Sequence, residues 1–303
     1  MKSLDLPRTL RALWRYRLFY PLAARFPQRW AYKWATLQGM ADHWFDGGLY
    51  RAAQSHLQQA LLCHDLEAGS IARAMQRMQA REIMDVYRLP RLTAQNIGEL
   101  ITLEGIDHYQ FALATGRPIM LYSAHFGRLI MPAIALGLMG YPTSALTQPV
   151  DNNAPLPAVE RRYLQEKIRR MQTIMRGEFV STAQSLRRLY ALLEARQTLI
   201  VLIDVPPVPG QAFYETPLLG GIAKFPRGIV KLAWQTGAVL VPYFTREENR
   251  RLIGEFLPPL HLGAQETPES LLAKIVAPLA SQITRRPDQW WMWPWLRAFW
   301  RHE

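Results

Sequence analysis

Cysteine is almost absent from this chain. Cys63 alone occurs in 303 residues, which excludes an internal disulfide framework and any cysteine-based zinc cluster and agrees with a reducing cytoplasm. Long apolar runs are missing as well. Nowhere do about 18 apolar residues follow one another, so no transmembrane helix is expected. A secretory signal fits poorly, because arginines interrupt every would-be apolar core near the N-terminus. Repeats at solenoid spacing and low-complexity tracts are absent. The histidines outside the stretch discussed below (His43, His56, His64, His108, His261 and His302) have no metal-ligand spacing, so no zinc site is expected.

Acids are scarce. Twenty-four Asp and Glu face 36 Lys and Arg, a formal net charge of +12, which calls for an acidic partner: nucleic acid, anionic lipid or an acidic protein. The distribution narrows the choice. The first forty residues contain one acid, Asp5, amid many cations. Leu10, Leu13, Trp14 and Leu18 recur at helical spacing with Arg8, Arg11, Arg15 and Arg17 between them. Trp30 and Trp34 follow one turn apart beside Arg29 and Lys33. Such a helix can lie in a lipid headgroup layer; the plainer alternative is an amphipathic helix packed on its own domain. No nucleic-acid-binding motif accompanies the charge, so no nucleic-acid partner is expected.

What is plentiful is apolar material. With 49% hydrophobic and 20% charged residues, the chain can build a sizeable core. Residues 48–88 read as helices, with apolar residues at i, i+3, i+4 spacing and no internal Pro; "RLPRL" ends them. From about residue 100, apolar strand-like runs alternate with helical stretches. "RPIMLYSA", "TLIVLID" and "AVLVPYFTRE" read as strands, and "LPAVERRYLQEKIRRMQTIM", "AQSLRRLYALLEAR" and "FPRGIVKLAWQTG" as helices. The pattern predicts an α/β fold, a mainly parallel sheet covered by helices, with a helical N-terminal region. The expected division is a basic helical region over 1–95 and an α/β core over 96–303. In such sheets chemistry sits at the carboxyl ends of strands. His125 follows the first strong strand and Asp204 closes "TLIVLID", which puts both at one edge.

His125, just after a strand and before Gly127, is the candidate general base; the alternative is a histidine that satisfies backbone groups. Ser123 shares its face in an extended segment and raises a hydrolase reading, but the chain has no G-x-S-x-G elbow. Gly220, Gly221, Lys224 and Arg227 precede a helix and read as a site for an anionic substrate group, against a plain loop-to-helix junction. Arg128, three residues past His125, is a second candidate anion ligand, or else a surface arginine. "PDQWWMWPWLRAFW" lines an acyl or membrane-facing surface or docks on the core.

Taken together, "LEGIDHYQFALATGRPIMLYSAHFG", "LIDVPP", "ETPLLGGIAKFPRGIVKLAWQTGAVLVPYF" and "RRPDQWWMW" resemble the bacterial lipid A late acyltransferases of the lysophospholipid acyltransferase superfamily. The resemblance is clearest over residues 100–300 and implies an acyltransferase. A fatty acyl group would move from an acyl-carrier-protein or coenzyme A thioester to a hydroxyl or amine of a lipid-like acceptor. His125 would be the base, with no bound cofactor or metal. It also implies peripheral attachment to the cytoplasmic face of the inner membrane. The chain departs from the family pattern twice. Ile130 stands where the His-x4-acid motif has its carboxylate, and Gln148 where an Arg is usual. Three readings follow. Another acid orients His125, Asp204 first and Glu104 or Asp107 behind it. Alternatively His125 acts unaided on an amine, or the chain is a non-catalytic relative that binds lipid or carrier protein. A Ser123/His125 thioesterase is a further alternative.

Overall fold

The computed structural model describes residues 6–45, 47–150, 156–248, 251–260, 263 and 266–302. The readings that touch Asp5 and His261 lie outside these residues. Helix α1 (Leu6–Leu13) continues through a π-helical stretch (Trp14–Phe19) into α2 (Tyr20–Ala23). Helices α3 (Gln28–Phe45), α4 (Gly47–Leu61) and α5 (Asp65–Arg88) follow. Ala31, Ala35 and Gly39 share one face of α3, where small side chains let it lie directly on α5. A Cβ on Gly39 would fall 2.8 Å from the Arg77 Cα. Acids open α5 and Arg88 closes it, which suits the helix dipole.

The first helices pack through Ala12, Tyr16, Tyr20, Ala23 and Ala24. The Leu10, Leu13, Trp14 and Leu18 stripe therefore points outward, joined by Trp30, Trp34 and Leu37 of α3. Arg15 departs from the expected basic face: it turns inward and pairs with Asp42 at 3.0 Å. No helix among the described residues is long and apolar enough to cross a membrane.

Strands β1 (Ile101–Glu104), β2 (Ile119–Ser123), β3 (Thr143–Thr147), β4 (Arg176–Ser181), β5 (Thr198–Leu202), β8 (Val239–Glu248) and β9 (Arg251–Phe256) form one sheet, ordered β1-β9-β8-β2-β5-β3-β4. Only the β8–β9 pair is antiparallel. The central strands read as unbroken apolar runs because helices cover both faces. These helices are α6 (Ile106–Ala114), α7 (Met131–Leu138), α8 (Ala158–Met175), α9 (Arg187–Glu194), α10 (Gly228–Thr236) and α11 (Pro268–Arg285). The N-terminal helices belong to the same hydrophobic clusters as the sheet: Tyr50, Ala53 and Leu57 of α4 share one with Met120, Val201 and Trp293.

The segment before α10 is not the expected loop. β6 (Phe213–Leu218) and β7 (Gly221–Pro226) form an antiparallel hairpin that β10 (Trp300–His302) extends to a second, three-stranded sheet. Leu219 and Gly220 make its two-residue turn, both left-handed. The helix starts only at Gly228, because Gly221, Ala223 and Phe225 alternate inward as a strand requires.

Candidate active site

β2 and β5 are parallel neighbours in a register that pairs Ser123 with Leu202. Two residues beyond each partner come His125 and Asp204, so the register alone sets them side by side. His125 Nδ1 lies 2.8 Å from Asp204 Oδ1. The His125 backbone N–H donates to the same carboxylate at 3.1 and 2.9 Å, and the Trp290 indole N–H donates to Oδ2 at 2.9 Å. Asp204 is 0% exposed, and three donors compensate its desolvation. An ionised carboxylate only accepts, so Nδ1 carries the proton and Nε2 keeps its lone pair. The imidazole is 28% exposed, and Nε2 has no hydrogen-bond partner among the described residues.

The turn that carries the base is held from several sides. Gly127 takes φ +60°, and a Cβ there would lie 1.9 Å from the Thr245 carbonyl oxygen, so only glycine fits. Its N–H donates to the Gln289 carbonyl at 2.7 Å, and the Phe126 N–H to the Ala124 carbonyl at 2.7 Å. Trp291 donates its backbone N–H to the His125 carbonyl at 2.8 Å and its indole N–H to the Gly127 carbonyl at 2.9 Å. The tryptophan-rich C-terminal segment is thus mostly docked on the core, with Trp290 and Trp293 fully buried. Trp290 and Trp291 act directly on the candidate base and its acid. The density of indoles in "PDQWWMW" was the only signal for them.

A cavity of about 740 Å³ opens beside His125. It runs past the carboxyl ends of β3 and β5 under α8, α9 and α10. Leu129, Ile130, Met171, Phe179, Ile200 and Leu232 contribute apolar wall. Ile130, at the position of the absent acid, is 1% exposed and part of that wall. Trp291 and Lys167 also line the cavity, Trp291 with its ring centroid 6.0 Å from that of His125. Arg187 and Lys231 are exposed at its edge. In the sequence nothing singles out Lys167, Arg187 or Lys231, each one cation in a helical stretch.

Other expectations are corrected. Arg128, expected as an anion ligand or a surface arginine, does not line the cavity. It is buried, and its Nε donates to Asp85 Oδ2 at 2.7 Å and its Nη2 to Asp85 Oδ1. Nη1 reaches Glu247 at 3.3 Å, and the guanidinium lies 4.4 Å from the Tyr32 ring centroid. Gly220 and Gly221 lie at and beside the hairpin turn rather than at a helix N-terminus. Lys224 sits 4.0 Å from Glu215 and over the Phe213 ring. Arg227 donates to the Phe213 carbonyl at 3.0 Å and covers Tyr214. Neither cation lines the cavity. The Ser123 hydroxyl is buried without a hydrogen-bond partner and makes no contact that would couple it to the imidazole. Glu104 pairs with Arg246 and Asp107 opens α6, so of the three acids considered, Asp204 is the one on His125. Among the described residues no group of three His, Cys, Asp or Glu side chains gathers to hold a metal ion.

A buried carboxylate on a partly exposed imidazole, at the mouth of a long apolar cavity, suits proton abstraction from a nucleophile that attacks an acyl chain's carbonyl. Comparison with curated proteins finds no match. The family model for bacterial lipid A biosynthesis acyltransferase matches residues 1–301, and on that span the chain belongs to this acyltransferase family.

Proposed function

We propose that the protein moves a fatty acyl group from a carrier-protein or coenzyme A thioester to a hydroxyl or amine of a lipid-like acceptor, with His125 as base and Asp204 as the acid that orients it. The observation that carries this reading is the His125–Asp204 hydrogen bond at the cavity mouth. Asp204 takes over, from a neighbouring strand, the role for which Ile130 has no carboxylate. With Nδ1–H held by Asp204, Nε2 accepts the acceptor's proton, and the imidazolium that forms is stabilised by the buried carboxylate. The acyl chain occupies the apolar cavity. Arg187, the first residue of α9, and Lys231, in the first turn of α10, are exposed at the cavity edge and suit the phosphates of a pantetheine-bearing donor.

The test is product formation. Purified protein with acyl-carrier-protein or acyl-coenzyme A and a membrane lipid extract should yield a new acylated product by mass spectrometry, lost in His125→Ala. Release of free acid alone would identify a thioesterase. Lipid or carrier binding without turnover would identify a non-catalytic relative.

Two further outcomes follow. Ala145, on β3, lines the cavity. Ala145→Leu should lower kcat/KM for the longest accepted chain roughly tenfold relative to shorter ones, at about 0.8 kcal/mol per displaced methylene; an unchanged chain-length profile would place the acyl group elsewhere. The second concerns the outer face of the N-terminal helices, where Leu10, Trp14, Leu18, Trp30 and Trp34 are exposed beside Arg8, Arg17, Arg29 and Lys33. We read it as the surface that lies in the headgroup layer of the inner membrane's cytoplasmic leaflet. Trp30→Glu/Trp34→Glu should weaken sedimentation with vesicles rich in phosphatidylglycerol by roughly tenfold or more. Equal sedimentation would remove α3 from that surface.

A further inference from the structure

Acyl transfer passes through a tetrahedral intermediate whose oxygen carries negative charge, and something must stabilise it. The three amides nearest the base are already engaged. The His125 N–H binds Asp204, the Phe126 N–H binds the Ala124 carbonyl, and the Gly127 N–H binds the Gln289 carbonyl. Arg128 is buried in its own ion pairs. Arg187 and Lys231 are exposed at the cavity edge. Among the described residues that line the cavity, one cation remains inside. Lys167, on α8, lines the cavity with a side chain only 17% exposed. Its Nζ lies 5.8 Å from the centre of the Trp291 ring, the same indole that faces His125.

Lys167 is held by Glu82, reaching down from α5, at 3.0 Å. Glu82 is buried, and its second oxygen, Oε2, has no hydrogen-bond partner. Burial outweighs the pull of Lys167 and holds the Glu82 carboxyl above its ordinary range. Glu82 thus ties the Lys167 side chain to α5 and fixes its place in the cavity wall. An ammonium has three donors. Glu82 occupies one, and Lys167 has no other hydrogen-bond partner among the described residues.

We propose that Lys167 is the catalytic cation that stabilises the oxyanion, and that Glu82 is the positioning residue that holds it there; this rests on the acyl-transfer reading above. The acceptor's oxygen or nitrogen forms a bond to the thioester carbonyl carbon as its proton passes to His125 Nε2. The carbonyl π pair moves onto oxygen, where the Lys167 ammonium meets it. On collapse that pair re-forms the carbonyl, the C–S bond breaks, and the thiolate takes the proton back from the imidazolium. Ester or amide and free thiol are the products.

The test is steady-state transfer by wild type, His125→Ala, Lys167→Met and Glu82→Gln/Lys167→Met. The double variant replaces the buried acid with a neutral amide, so it folds even if the orphaned carboxylate unfolds Lys167→Met. Loss of one oxyanion donor lowers kcat by about 10²–10³, and that fall is expected in both Lys167 variants, with KM for the thioester within about threefold. A kcat within twofold of wild type in a folded variant overturns the proposal, as does a loss confined to KM. If wild type transfers and His125→Ala does not, such a result removes Lys167 alone. A wild type that transfers nothing ends both readings.

Discussion

Asp204→Asn should lower the kcat for acyl transfer about ten-thousandfold, the loss seen when the equivalent acid of a Ser-His-Asp enzyme becomes an amide. The carboxylate accepts from three donors: the His125 N–H, the His125 Nδ1–H and the Trp290 indole N–H. An amide has one acceptor oxygen and an NH₂ that must face one of them. If the NH₂ faces the ring, Nδ1 becomes the acceptor and the proton moves to Nε2, where no base function is left. The fold survives with a loss of about 1–3 kcal/mol, since the misfit is one buried donor facing another. Thioester turnover by the purified variant, with near-ultraviolet circular dichroism as the folding control, measures it. Activity within tenfold of wild type would mean that His125 works unaided.

Arg128→Met should destabilise the chain by about 3–5 kcal/mol, the usual consequence of removing one member of a buried ion pair. Asp85 on α5, Tyr32 on α3 and Glu247 on β8 all converge on this guanidinium. Without it, the Asp85 carboxylate keeps only the Tyr32 hydroxyl, at 2.6 Å, as a hydrogen-bond partner among the described residues, and the helical layer loses a tie to the turn bearing His125. Arg128→Lys should lose less, because one charge remains but the two-pronged contact does not. Burial alone would raise the Glu247 carboxyl, but Arg81 and Arg128 outweigh it and hold it below its ordinary value. A lowered carboxylate contributes stability above its unfolded value and loses it as pH falls through the folded one. The deficit of Arg128→Met should therefore narrow in acid. Urea unfolding at neutral and acid pH checks both statements; a neutral-pH deficit under about 1 kcal/mol would contradict the mechanism.

What could be read from the sequence was what local pattern encodes. "RPIMLYSA" and "TLIVLID" read as buried strands, and residues just past two such strands share a sheet edge. From there to a 2.8 Å contact needed only the register. The hairpin was harder. Gly220–Gly221 reads as a helix lead-in, although the inward alternation of Gly221, Ala223 and Phe225 is a strand signal. "FPRGIVKLAWQTG" outweighed it, because a helix pattern starting at Gly228 was extended three residues too far back. Arg128 is hard to place from sequence for a different reason. Its partners lie 43 and 119 positions away, and periodicity carries no information about such pairings. The Lys167–Glu82 contact spans 85 positions and was hidden in the same way. The N-terminal stripe shows a third case. Its leucines and tryptophans were legible as one helix face, but that the helix would pack instead through Ala12, Tyr16 and Tyr20 depended on the shape of α3 and α5.

The central claim is that His125 and Asp204 work as one unit although they come from different strands and the usual position, Ile130, is apolar. A double-mutant cycle tests it most directly: transfer rates for wild type, His125→Ala, Asp204→Asn and the pair of substitutions together. Residues that act as a unit are strongly non-additive. The account predicts that the double variant is no slower than His125→Ala alone. Losses that multiply, or an Asp204→Asn enzyme close to wild type, would contradict it.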